Sequence, residues 1–199
     1  FIYPHGIAWD KKFLYGYTYD EARNRLVEYA KELGVDYLFF LDDDILMPQF
    51  GLLELYNSMV INDLDIVGGY YYQKLPNRMP TWGHSLPDKR HIVPEVEGQN
   101  ELIECNWVIP TGCMLIRMSV FDRIEKPYFN MIYDGKSKMT VGEDCYFITK
   151  CNSVGIKTYI NPKVKCGHID YANNRIYWGD QITPFVSGEQ IVLDKGEDK

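Results

Sequence analysis

The sequence lacks the features that mark several large classes of protein. Its 199 residues contain no apolar run of transmembrane length and no visible signal peptide. Its five cysteines form no Cys-x-x-Cys pair, which argues against a disulfide framework or zinc knuckle and favours buried thiols in a reducing compartment. The net charge of −7 provides no basic excess for broad binding to nucleic acid or anionic membranes. These absences predict a soluble cytoplasmic protein, either complete or part of a larger chain.

The composition supports a folded domain. Apolar residues make up 46% of the chain and aromatic residues 15%, which suffices for a real core and argues against general disorder. Predicted strands and helices alternate first and are followed by further strands. This order indicates an α/β fold with a mostly parallel sheet flanked by helices and a small antiparallel annex. We expect a single domain over residues 1–186 and a polar tail over residues 187–199.

Local signals place the elements along the chain. The capping-box pattern from Thr18 to Glu21 predicts the start of a helix, and Gly34 predicts its end. Prolines, glycines and charges accumulate over residues 73–100, which indicates a binding flap rather than a separate domain. Further helices are expected at about 50–62 and 142–154. Strands are expected at residues 1–4, 12–17, 35–41, 65–72, 101–109, 112–118, 157–160 and 164–168.

Three consecutive acids, Asp42, Asp43 and Asp44, directly follow the apolar strand at 35–41. Open α/β sheets bind ligands at the carboxyl ends of their strands. Adjacent carboxylates repel one another and need a cation or donors, and their oxygens suit Mg²⁺ or Mn²⁺, which can also hold nucleotide phosphates. Because alternate side chains point the same way, Asp42 and Asp44 are expected to face the ligand while Asp43 anchors the loop or contacts a sugar hydroxyl. A solvated turn is the alternative.

Two later positions carry candidate chemistry. Glu143 and Asp144 begin a predicted helix, where acids are favoured by the helix dipole in any protein. Beside a metal-phosphate site, the same carboxylates could take the proton of an acceptor hydroxyl. His168 ends a late strand after a glycine and is either structural or a third ligand that completes the metal set.

Two further segments leave two interpretations open. Trp107 could stack on a sugar ring, and the neighbouring Thr111-Gly112 could let the backbone approach a ligand. Ordinary core packing with a turn at Pro110 explains this segment equally well. Arg23, one turn into the first helix, either reaches a phosphate or belongs to a solvated helix face.

Three sequence blocks occur in an order and spacing that resemble a known family. They are ARNRLVEYAKELGVDYLFFLDDDILMP, then TGCMLIRMSVFDRI with PYF, then GEDCYFITKCNSVGIKTYINPKVKCGHI. Over about residues 20–170 the chain resembles the GT-A-fold glycosyltransferases, which have a Rossmann-like sheet, and is similar to bacterial, phage and viral family 2-like enzymes. These enzymes usually begin with a strand-helix-strand unit that cups the nucleotide base. Few residues precede the first matched helix here, so this N-terminal nucleotide-binding unit is expected to be short or truncated.

The resemblance implies roles for the matching positions. Asp42 and Asp44 correspond to the DxD motif, which holds Mn²⁺ or Mg²⁺ and contacts the donor, with Asp43 between them. Asp144, beside Glu143, corresponds to the base of inverting members. His168 corresponds to the additional metal ligand of several branches.

The same resemblance assigns the donor side of the site. Arg23 lies where donor contacts are common in the family, and the segment with Trp107, Thr111 and Gly112 borders the sugar and the acceptor.

The expected function is metal-dependent transfer of a sugar from a nucleotide-sugar, a UDP- or GDP-sugar by preference, to a hydroxyl of a glycan, glycolipid or glycoprotein. Inversion with Asp144 as base is the expected stereochemistry, and no nucleic-acid partner or membrane span is expected. Two alternatives belong to other classes: a non-catalytic glycan-binding domain on the same scaffold, and a phosphotransferase or phosphatase with a strand-end DxD. The phosphatase class favours threonine or valine where this chain has Leu46.

Overall fold

A computed structural model describes residues 4–75, 77, 79–88, 90–135, 139–179 and 181–185. The predicted tail at 187–199 lies outside these residues, as do the first three residues of the strand expected at 1–4. The helices are α1 (Tyr19–Leu33), α2 (Gly51–Ile61), α3 (Val120–Arg123) and α4 (Glu143–Ser153). The first seven strands are β1 (Tyr37–Leu41), β2 (Ile45–Leu46), β3 (Ile66–Tyr70), β4 (His84–Ser85), β5 (His91–Ile92), β6 (Ile103–Glu104) and β7 (Cys113–Arg117). The remaining strands are β8 (Ile132–Asp134), β9 (Met139–Val141), β10 (Thr158–Lys165), β11 (Gly167–Asp170), β12 (Arg175–Tyr177) and β13 (Ile182–Pro184).

The main sheet has five strands in the order β1-β7-β3-β10-β6. The predicted α/β fold with flanking helices is confirmed, but β3 and β10 form the one parallel pair in this sheet, and its other pairings are antiparallel. The difference arises because β7 returns between β1 and β3 in the opposite direction. A buried strand has the same apolar composition in either direction, so its sequence does not reveal its polarity.

Two apolar cores lie on the two faces of this sheet. Successive residues of the central strands alternate between them, as strand geometry requires: Ile66 joins one core and Val67 the other. Helices α1 and α4 contribute to the first core through Val27 and Phe147, and α2 contributes to the second through Leu55. All five cysteines are free thiols and four of them are buried, as expected.

Helix α1 begins and ends where the sequence predicts. Thr18 is the N-cap residue, and Gly34 ends the helix in the left-handed conformation with φ 64°. The capping box itself does not form, because the Thr18 hydroxyl donates to Asp20 and Glu21 pairs with Arg25. The strand predicted at 12–17 is wrong: the segment has no strand partner and turns at Gly16.

A second, four-stranded sheet with the order β13-β12-β11-β2 forms the antiparallel annex. The two expected strands at 157–160 and 164–168 are instead one long strand, β10, followed by β11; the register of β10 against β3 shifts between Ile160 and Lys165. The flap over residues 73–100 contains the short hairpin β4–β5. Within the described residues, no helix is both long enough and apolar enough to cross a bilayer.

Candidate active site at the end of strand β1

The three acids lie at the junction of the two sheets. Strand β1 ends at Leu41 in the main sheet, and β2 begins at Ile45 in the annex, so residues 42–44 form the connecting turn. The Asp42 amide donates to the Gly112 carbonyl (3.0 Å), and the Ile169 amide donates to the Asp44 carbonyl (2.8 Å). Since β2 pairs with β11 in the register that sets Ile45 opposite His168, the fold itself brings His168 to the acids.

Asp44 and His168 face each other across this junction. The distance between Asp44 Oδ2 and His168 Nε2 is 3.5 Å. His168 Nδ1 lies 2.8 Å from the Tyr72 carbonyl, which can only accept, so Nδ1 donates to it and this hydrogen bond fixes the ring with Nε2 towards Asp44.

The charge of Asp44 is balanced by basic groups. Burial alone would raise the pKa of this carboxyl, but contacts with His168 and with the ammonium of Lys74 outweigh it and lower the pKa to about 2. Lys74 Nζ contacts the same Oδ2 atom that faces His168. Asp44 is therefore ionised at neutral pH.

Asp42 has a different partner. Nη2 of Arg23, on α1, lies 2.7 Å from Oδ1 and 2.9 Å from Oδ2 of Asp42. The Arg23 side chain is only 8% exposed, and its guanidinium lies 4.8 Å from the centre of the Phe40 ring. Both oxygens of Asp42 are thus held by a buried cation. The exposed Asp43 anchors the turn through its carbonyl, which accepts from Tyr171 Oη at 2.8 Å.

The lack of a side chain at Gly112 lets Tyr71 Oη and Asp42 Oδ2 lie close to its backbone. A Cβ at this position would lie 2.5 Å from Tyr71 Oη and 2.9 Å from Asp42 Oδ2, closer than real Cβ atoms come. The Tyr71 side chain is buried, and this burial, followed by the neighbouring Asp42 charge, raises its pKa well above the usual value. Tyr71 therefore remains a neutral phenol beside Asp42.

Glu143 and Asp144 begin α4 on the Arg23 side of the site. Burial raises the pKa of both carboxyls, and the charge of Arg23 partly offsets this effect. Glu143 Oε1 accepts from the buried Thr111 hydroxyl at 3.2 Å, and Asp144 Oδ1 accepts from the Cys145 amide at 2.7 Å. A largely buried carboxylate with a raised pKa is a stronger proton acceptor than a solvated one.

Trp107 is enclosed by the flap rather than open to solvent on both faces. The His91 ring from β5 stacks on it, with centroids 4.0 Å apart and planes 20° apart. A Cβ on Gly83 would lie 2.5 Å from Trp107 Cε3, so the flap backbone also packs closely against this ring. The predicted stacking on a sugar stays a prediction, since His91 takes one ring face here.

Sequence reasoning missed Lys74 and His91, and it left the role of Tyr71 open. Lys74 had one available signal: it closely follows the buried strand β3, as the acids follow β1, and three acids require a nearby cation. The pairing of His91 with Trp107 had none, because it depends on how the flap folds back.

The residues present fit a divalent cation in part. Among the residues that the structure describes, no group of three or more His, Cys, Asp or Glu side chains is arranged to hold a metal ion. Asp44 and His168 nevertheless present an oxygen and a nitrogen 3.5 Å apart, a separation suited to adjacent ligands with bonds of about 2.0–2.2 Å. The hydrogen bond from His168 Nδ1 to a carbonyl is also the arrangement that orients metal-bound imidazoles. Asp42, the other expected ligand, is held by Arg23.

Comparisons with known proteins place the chain in a family. No curated protein matches it. Among solved structures, A197 from STIV is similar, with a TM-score of 0.61 and 19% identity over 85% of this chain and 76% of that one, a likeness that shows the fold alone. The model of the family described as glycosyl transferase family 2 matches residues 16–125, more than half of the chain, including Arg23, the three acids and Gly112. The chain therefore belongs to glycosyl transferase family 2.

Proposed function

We propose that this glycosyltransferase moves a sugar from a nucleotide-sugar, such as a UDP- or GDP-sugar, to a hydroxyl of a glycan, glycolipid or glycoprotein, with inversion at the anomeric carbon. The observation that carries the proposal is the convergence of Asp44 and His168 at the end of β1, with Asp144 near enough to Arg23 for its charge to act on the carboxyl. Membership of the family supports glycosyl transfer in general, and this geometry supports the finer assignment.

Asp44 and His168 would hold Mn²⁺ or Mg²⁺. When bound, such an ion neutralises the charge of the donor diphosphate and stabilises it as a leaving group. Asp44 is suited to this because it stays ionised, and His168 because the Tyr72 carbonyl fixes its ring. Arg23 holds the Asp42 carboxylate in place, and Asp42 then lines the donor side of the site together with Gly112.

Asp144 would act as the base. The acceptor oxygen forms a bond to the anomeric carbon while the bond from that carbon to the diphosphate oxygen breaks. The acceptor proton passes to Asp144, and the electron pair of the broken bond leaves with the diphosphate. Because Asp144 must be ionised, transfer requires a pH above its raised pKa. Glu143, hydrogen-bonded by Thr111, lies beside this base, and burial followed by the charge of Asp144 raises the pKa of Glu143.

A panel of nucleotide-sugars assayed for transfer and hydrolysis with Mn²⁺ tests the proposal. We expect turnover of at least one donor and its loss by more than about 100-fold in Asp44→Ala, since removal of even an outer-shell partner of a metal costs about 10–100-fold. Asp122→Ala is the matched control, because that side chain is 73% exposed and pairs only at the surface with Lys31. Glycan binding without turnover of any donor would favour the binding-domain alternative, and a trapped phosphoenzyme at Asp42 would favour the phosphotransferase.

A further inference from the structure

Lys74 occupies a position at the site that the proposed function does not use. It lies four residues beyond β3, at the start of the flap. The two residues Tyr72 and Gln73 that precede it are held by backbone pairing. Tyr72 pairs with Pro80 as an isolated bridge, and the Gln73 amide donates to the Met79 carbonyl at 2.9 Å. This backbone pairing therefore positions Lys74 next to the acids, where its ammonium contacts Asp44.

The ammonium of Lys74 contacts the oxygen that a cation would need. Asp44 Oδ2 contacts Lys74 Nζ and lies 3.5 Å from His168 Nε2. A divalent ion bound between Asp44 and His168 would have to share or take this oxygen. Two positive charges near one carboxylate oxygen repel each other, so Lys74 and the ion compete.

The ion pair is placed where exchange is easy. The side chains of Lys74 and Asp44 are 29% and 25% exposed, so water reaches both partners. Partly exposed pairs of this kind contribute little net free energy, and the four-carbon stem of lysine lets the charge move without moving the backbone. By contrast, Arg23 is buried against Asp42.

A displaced Lys74 ammonium has an evident new partner at this site. The diphosphate of a nucleotide-sugar would lie against the same cation, and lysine is a common phosphate-binding point charge. In a chain with a net charge of −7, a diphosphate needs such local positive groups.

We propose that Lys74 exchanges partners when the donor binds: it holds Asp44 in the ligand-free protein and moves to the donor diphosphate when a divalent ion occupies Asp44. The ion and the nucleotide then bind with positive coupling, because the nucleotide draws away the group that competes with the ion. This inference rests on the proposed function and adds a donor-specific role for a flap residue.

Lys74→Met tests the exchange because it removes the charge and keeps much of the chain length. Mn²⁺ binding to the nucleotide-free protein, measured by electron paramagnetic resonance or calorimetry, should tighten by about 2- to 10-fold. Binding of UDP or GDP at saturating Mn²⁺ should weaken by a similar factor. Lys74→Arg should stay near the wild type in both measurements, and Lys163→Met, an exposed lysine on β10, is the control for loss of one surface charge.

Each result decides between the possibilities. Unchanged or weaker Mn²⁺ binding in Lys74→Met would overturn the competition with the ion. Tighter Mn²⁺ binding with unchanged nucleotide affinity would overturn the transfer of the ammonium to the diphosphate. If the wild type binds Mn²⁺ and nucleotide but Lys74→Met behaves identically, the inference fails while the proposed function stands. If the folded wild type, checked by its melting transition, binds neither, the proposed function fails.

Discussion

Asp42 and Asp44 lie two residues apart in one turn, yet their surroundings differ in kind. Asp42 is gripped through both oxygens by a buried guanidinium. Asp44 meets an ammonium and an imidazole, and all three side chains are partly open to water. Asp42 therefore has a buried partner that is geometrically fixed, whereas the partners of Asp44 are partly exposed. Two acids of one short motif can thus differ in how firmly the fold holds them.

Removing the fixed partner is expected to have the largest effect on stability. Arg23→Met leaves the Asp42 carboxylate without its cation in a largely enclosed position. We expect a loss of about 2–3 kcal/mol in the free energy of unfolding, below the roughly 3–5 kcal/mol of a fully buried pair because Asp42 is 31% exposed. Urea denaturation measures this difference.

The matched control lies on the same helix. Arg25→Met removes an exposed i,i+4 pair with Glu21 and should cost only about 0.3–0.5 kcal/mol. Equal effects of the two arginine variants would contradict the special strength of the buried pair at Asp42.

The close packing around Asp42 provides the second test. Gly112→Ala places a methyl group against Tyr71 Oη and Asp42 Oδ2, and it should destabilise the protein by about 1–3 kcal/mol. Adding Tyr71→Phe removes the nearer of the two clashing atoms. Thermal or urea unfolding of the double variant should therefore recover part of the loss, and no recovery would mean that the strain lies elsewhere.

Asp44 and Asp144 are expected to make the free energy of unfolding depend on pH in opposite directions. Both effects should be smaller than those of the substitutions above. The folded-state pKa of Asp44 is lowered from the usual value of an aspartate to about 2, so its stabilising contribution is present above the unfolded-state pKa and disappears as the pH falls towards 2. Asp144 has a raised pKa, so its contribution is complete below the unfolded-state pKa and is lost as the pH rises through the folded value.

Urea denaturation of wild type, Asp44→Asn and Asp144→Asn, repeated from acid pH to neutral pH, measures the two slopes. In Asp44→Asn, the fall in the free energy of unfolding at acid pH should be smaller than in the wild type by about 1–2 kcal/mol. This figure is reduced because Asp44 is partly exposed. In Asp144→Asn, the part of the free energy of unfolding that the wild type loses as the pH rises towards neutrality should no longer change with pH. Slopes of the same sign would refute the assignment of opposite environments.

The parts of this site that the sequence predicts are those encoded locally. The acids at the end of β1, the helix start at Glu143 and the stop at Gly34 each follow from a short run of residues with one physical cause. The meeting of Asp44 and His168 was expected from the resemblance, and the two side chains do face each other.

The rest depends on distant pairings. The antiparallel return of β7 is invisible in its composition, because apolar residues suit a central strand of either direction. The partners of Asp42 and Asp44 are supplied by α1 and by the flap, and no spacing in the sequence distinguishes an arginine that buries itself from one that stays in solvent. Tertiary packing decides these points.

The stretch just after β3 joins the two halves of the comparison. Tyr71 lies beside Asp42, and its ring meets that of His168 edge-on with centroids 4.9 Å apart. The carbonyl of Tyr72 orients His168, and Lys74 reaches Asp44. Residues within four positions of the end of β3 thus contact the surroundings of both Asp42 and Asp44. Substitutions in this short stretch are therefore expected to alter the surroundings of both carboxylates.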